Sequence, residues 1–91
     1  MIKTKTEKNR GENKMKIKYT GTFNKDFVRT EVIEFEEISR AKATQKMRDK
    51  LRNKTEEGVV ANLFEIHRAD ADLICKWTID KNLIISEKFT I

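Results

Sequence analysis

Proline is absent from this chain, glycine occurs three times and cysteine once. With so little of either turn-former, collagen-like, mucin-like and low-complexity segments are excluded. A single thiol, Cys75, rules out an intrachain disulfide and leaves no cysteine-built zinc site. No apolar run approaches the length of a membrane span, and no hydrophobic stretch follows the basic start as a secretory signal requires. A cytoplasmic protein is expected. What is present is 91 residues, 38% charged and 37% hydrophobic, which suffices for one small domain around one modest core.

The net charge of +5 is unevenly spread. Residues 1–14 hold five basic and two acidic side chains, a net +3, and the other 77 residues hold 15 basic and 13 acidic, a net +2. The folded part is therefore nearly balanced, and overall basicity alone does not imply a nucleic-acid partner. The first 14 residues carry only Met1 and Ile2 as apolar side chains and no periodicity. They read as a disordered basic tail, either solvated or touching phosphate, or as a mis-annotated leader. The leader reading rests on Arg10-Gly11-Glu12, which a purine-rich run resembling a bacterial ribosome-binding site can encode, with Met15 at a suitable spacing. On that hypothesis the natively expressed protein begins at Met15. Mass spectrometry finding mainly a Met1 species would end it.

One helix is expected, from about Glu37 to Asn53, with Ser39 as N-cap and basic residues thickening toward its C-terminus. Ala41, Thr44, Met47 and Leu51 recur at three- and four-residue steps and form its apolar stripe. The rest reads as short strands: Met15–Phe23, Phe27–Phe35, Val59–Arg68, one through Leu73–Ile79, and Leu83–Ile91. Met15, Ile17, Tyr19 and Phe23 point inward from the first; Leu73, Cys75, Trp77 and Ile79 point inward from the fourth. The second and third strands are apolar on both faces, so pattern alone does not choose between them. The fold class that follows is α+β, a single helix packed on a mainly antiparallel sheet in the order β-β-α-β-β-β over residues 15–91, with no second domain.

Candidates for chemistry are few. His67 has no second histidine, Asp70 and Asp72 suit a turn better than a hard-cation site, and Cys75 lies on an apolar strand face. Trp77, Tyr19 and the phenylalanines read as core in preference to base-stacking platforms. No catalytic residue, cofactor, metal or small-molecule substrate is therefore expected, and the chain is not read as an enzyme. The helix is the best contact surface: seven positive charges stand against Asp49 alone between residues 38 and 54. Lys42, Lys46 and Lys50 form a row placed away from Met47 and Leu51, with Arg40 and Lys54 beside them and Lys16 and Lys18 on the first strand. Such a row can follow a phosphate backbone. The acidic cluster from Glu31 to Glu37 makes the surface dipolar, which suits a nucleoprotein as well as bare nucleic acid.

A short, lysine-rich, cysteine-poor single domain with a leader upstream of Met15 resembles, in general style, the small accessory proteins of bacteriophages and mobile elements. That resemblance implies a host-takeover or anti-defence inhibitor, anti-CRISPR proteins included, that occupies a surface without catalysis. The expected function is a non-enzymatic binder of a nucleic acid or a nucleic-acid-processing complex. The alternative is a protein–protein inhibitor or homodimer pairing through an exposed sheet edge such as Leu83–Ile91.

Overall fold

The computed structural model describes residues 16–90, so the expectations for residues 1–14, and for Met15 and Ile91, lie outside the described residues. The elements run β1 (Ile17–Lys25), β2 (Val28–Glu37), α1 (Arg40–Leu51), β3 (Val59–His67), β4 (Asp70–Ile79) and β5 (Ile85–Phe89). The class is α+β: a five-stranded sheet in the spatial order β2-β1-β3-β4-β5, every neighbouring pair antiparallel, with one helix across one face. β1 lies between β2 and β3, so α1 carries the chain from the sheet edge over β1 to its other side. No helix among the described residues is long and apolar enough to cross a membrane.

Ser39 caps α1 as expected, its Oγ accepting from the Lys42 N–H at 3.2 Å. The buried stripe is Ala43, Thr44, Met47 and Leu51, not one containing Ala41. Ala43, Met47 and Leu51 repeat at four-residue steps, which keeps them over the sheet, whereas Ala41 is turned onto the flank and exposed. Gly21 on β1 makes room for this stripe. A Cβ there would collide with the Met47 thioether and come within 3.1 Å of Ile33 Cγ1.

The strand faces left open by pattern are settled by the register. On β3, Val59, Ala61, Leu63 and Glu65 face the helix; on β2, Ile33 and Phe35 do. On β4 the expected inward set fails at one position. The β3–β4 register shifts between Leu63 and Phe64, so Leu63 opposes Cys75 while Phe64 opposes Leu73. Ile74 is the extra residue of this bulge and is buried, and Leu73 turns to the other face. Trp77, Tyr19, Phe23 and Cys75 are core.

Candidate nucleic-acid interface

α1 is the surface on which the sequence predicts a basic row, and the structure shows where those charges go. Residues at i−1 from a buried position sit about 100° round the helix, on its flank and not its crest. Lys42, Lys46 and Lys50 each precede Ala43, Met47 and Leu51, so they lean toward β2 and do not point away from the core. Lys46 Nζ lies 3.4 Å from Glu37 and 5.2 Å above the Phe35 ring. Lys50 and Lys54 both reach Glu31, at 3.4 and 2.5 Å, and Lys54 also stands 5.1 Å above Phe23. The Lys54 hydrogen bond, foremost, holds the Glu31 carboxyl below its usual range. Arg40 pairs with Glu65, Arg48 with Glu87 and Arg52 with Asp49. Apart from Arg40–Glu65, whose carboxylate is buried, these pairs are half-exposed and add little stability, but all of them cancel the field that would attract a polyanion. Of the expected contact residues, only Lys42, Lys16 and Lys18 make no ion pair among the described residues.

Glu65 is the most unusual polar group in the fold, a carboxylate 2% exposed in the middle of the sheet. Arg40 donates to both of its oxygens at 2.8 Å, Tyr19 Oη donates at 3.2 Å, and His67 Nε2 lies 2.8 Å away. The Arg40 hydrogen bond, foremost, holds its pKa down to about 2, and burial beside this charge pushes the Tyr19 phenol up to about 12. Asp72 completes the cluster, 3.5 Å from His67, bringing three metal-ligating atoms within 4.8 Å of one another. The set does not fit a cation, because a guanidinium already occupies both Glu65 oxygens. It is a structural clasp that ties the start of α1 to β1 and β3. The Cys75 thiol is buried, and burial pushes its pKa up, so it is core and not a nucleophile.

The uncommitted charge lies on the sheet face opposite α1. Cross-strand partners share a face, so Val32, Thr22, Asn62, Lys76 and Lys88 form one row across all five strands, and Arg29, Asn24, Val60, Thr78 and Ser86 form the next. Lys76 and Lys88 are direct Cα partners, and like charges so placed repel. Neither they nor Arg29 and Lys18 meet a carboxylate among the described residues. A cavity of about 580 Å³ opens here, walled by Asn24, Asp26, Phe27, Arg29, Asn62 and Lys76. Phe27 is fully exposed and, with Asp26, holds a positive φ (69° and 52°) in the two-residue β1–β2 turn. A bulky side chain in that region is strained, and full exposure offers no burial to offset the strain.

The chain matches no protein-family model, no curated protein and no solved structure.

The surfaces themselves therefore carry the functional reading. The sequence places Phe27 at the start of the second strand and reads the phenylalanines as core. Phe27 instead stands exposed in the turn before β2 and Phe89 is exposed on β5, because neither lies under α1. Arg29, Lys76 and Lys88 were passed over. The one signal for Phe27 was its place beside the Asn24-Lys25-Asp26 turn, and nothing local marks Lys76 and Lys88 as opposed, since the register decides that.

Proposed function

We propose that this is a small non-enzymatic binding protein whose partner is a nucleic acid or a complex built on one, in the accessory or inhibitor style of phage and mobile-element proteins. The observation that carries the reading is the Lys76–Lys88 pair: two lysines set opposite each other in the register, with no carboxylate among the described residues to offset their repulsion. Phosphates between them would turn that repulsion into attraction, with release of counterions. Arg29 extends the positive surface, Asn62 and Asn24 supply hydrogen bonds, and Phe27 offers a free ring for an unstacked base. The flat, open sheet suits a single strand better than a duplex groove. Among the described residues, Lys42 is the one helix lysine without an ion-pair partner, so its charge can contribute.

Fluorescence anisotropy with labelled single-stranded RNA, single-stranded DNA and duplex DNA tests this at two salt concentrations. Single strands are expected to bind more tightly at low salt. Lys76→Glu/Lys88→Glu should weaken binding by at least about tenfold and flatten the salt slope by about two contacts, while Lys46→Glu/Lys50→Glu should change it less than about threefold. Phe27→Ala should cost a further several-fold at either salt. No salt-sensitive binding to any of the three probes, or equal loss in the helix double variant, overturns the reading.

A further inference from the structure

We infer that β5 pairs with β5 of a second copy of this chain, antiparallel and centred on Glu87, joining two five-stranded sheets into one. β5 ends the sheet, and no other described strand covers its outer side. The backbone says which groups that side offers. Asp80 N–H donates to the Ile84 carbonyl and Thr90 N–H to the Ile74 carbonyl, so the even-numbered residues of β5 turn their peptide groups toward β4. The N–H and C=O of Ile85, Glu87 and Phe89 therefore point outward, a ready template for another strand.

Side chains select the partner and the register. Leu83, Ile84, Ile85 and Phe89 are all exposed along this one edge, Ile85 at 42% and Phe89 at 48%. The opposite edge, β2, carries Glu34 and Glu36, which make no ion pair among the described residues, and these repel their own copies. A two-fold axis perpendicular to the sheet at Glu87 sets Ile85 against Phe89 of the second copy, twice, on the helix side, and Ser86 against Lys88 on the open side. About six backbone hydrogen bonds close between the outward groups of Ile85, Glu87 and Phe89. Centring on Lys88 instead opposes two free ammonium groups, and centring on Ser86 sets Ile85 against a carboxylate.

The Glu87–Glu87 meeting at the axis is tolerable because each carboxylate is already held within its own protomer. Arg48 donates to it twice, at 2.8 and 2.7 Å, and Trp77 Nε1 donates at 2.7 Å. The Arg48 hydrogen bond, foremost, keeps Glu87 ionised and neutralised. Phe89 also walls a groove with Arg40, Ala41, Thr44, Arg48 and Ile74, against which Ile85 of the second copy comes to lie. Because the axis is perpendicular to the sheet, both open faces point the same way. The pairing does not depend on nucleic-acid binding.

Sedimentation equilibrium on the full chain is expected to give twice its 10.7 kDa mass at about 100 µM. Phe89→Asp, at an exposed position, should raise the dimer dissociation constant by about a hundredfold while circular dichroism stays native. Register is read by oxidation. Ser86 and Lys88 would form a non-hydrogen-bonded pair across the axis, with the close Cβ spacing that a disulfide needs. Ser86→Cys/Lys88→Cys should therefore cross-link to a covalent dimer, and either single variant should not. A monomer at every concentration, a dimer indifferent to Phe89→Asp, or single variants that cross-link as well as the double would each overturn the proposal.

Discussion

Glu65→Ala is expected to cost about 3 kcal/mol of stability, from the lost charged hydrogen bonds to a half-exposed Arg40 and a buried phenol left without its acceptor. The carboxylate holds Arg40 by two hydrogen bonds and also satisfies Tyr19, so its loss leaves a guanidinium and a buried phenol without their acceptor. For a domain of this size that is a large part of the whole free energy of folding. The same group sets the acid limit. Its pKa is about 2 in the folded protein against an ordinary 4.5, so its contribution is complete above pH 4.5 and is lost as the pH falls toward 2. Linkage puts that contribution at about 3 kcal/mol. Tyr19 acts in the opposite direction: its raised pKa favours the folded state below pH 10, and that advantage disappears as the pH climbs toward 12. Urea melts of the parent and Glu65→Gln at pH 7 and pH 3 check this. The parent should lose more stability than the variant between the two, and parallel losses would mean that Glu65 is not the group titrating.

Trp77→Ala should be at least as damaging, at about 3–5 kcal/mol, because it empties the largest buried side chain in the protein. The indole sits between Ala61 of β3 and Glu87 of β5 in the sheet register and faces α1. Small neighbours such as Ala61 cannot collapse into the space it leaves. Its N–H also fixes the Glu87 carboxylate, so the ring fills volume and orients the Arg48 pair at once. Trp77→Phe separates the two roles. It keeps much of the ring but removes the donor, and about 1–2 kcal/mol is expected from the orphaned bond and the smaller volume together. Thermal melts that rank the alanine variant no lower than the phenylalanine variant would show that the indole matters more for its N–H than for the space it fills.

Alternation and helical spacing determined more of this fold than of its surface. The inward side of β1, with Tyr19 and Phe23, is legible because the alternating positions, Lys18, Thr20 and Thr22, are polar. The Ser39 cap and α1 are legible because capping and periodicity act within a few residues. β3 is different. Its two sides are almost equally apolar, and Glu65 breaks the apolar run on the side that turns out to be buried. Only Arg40, 25 residues away in the chain, makes that burial tolerable. The bulge opposite Leu63 likewise exchanges Leu73 for Ile74, a one-residue slip that no local pattern records.

The charge layout belongs almost wholly to the tertiary structure. Lys50 meets Glu31 across 19 residues and Arg48 meets Glu87 across 39, so a helix that looks strongly basic in one dimension is largely neutralised in three. Lys76 and Lys88 become opposed only through the β4–β5 register. The amino-acid order by itself determined which segments become strands and which becomes the helix, because hydrophobic periodicity is a local property. Which lysines keep a free charge, and which strand keeps a free edge, depended on long-range pairing, because Coulomb attraction acts on distance in space and takes no account of distance along the chain.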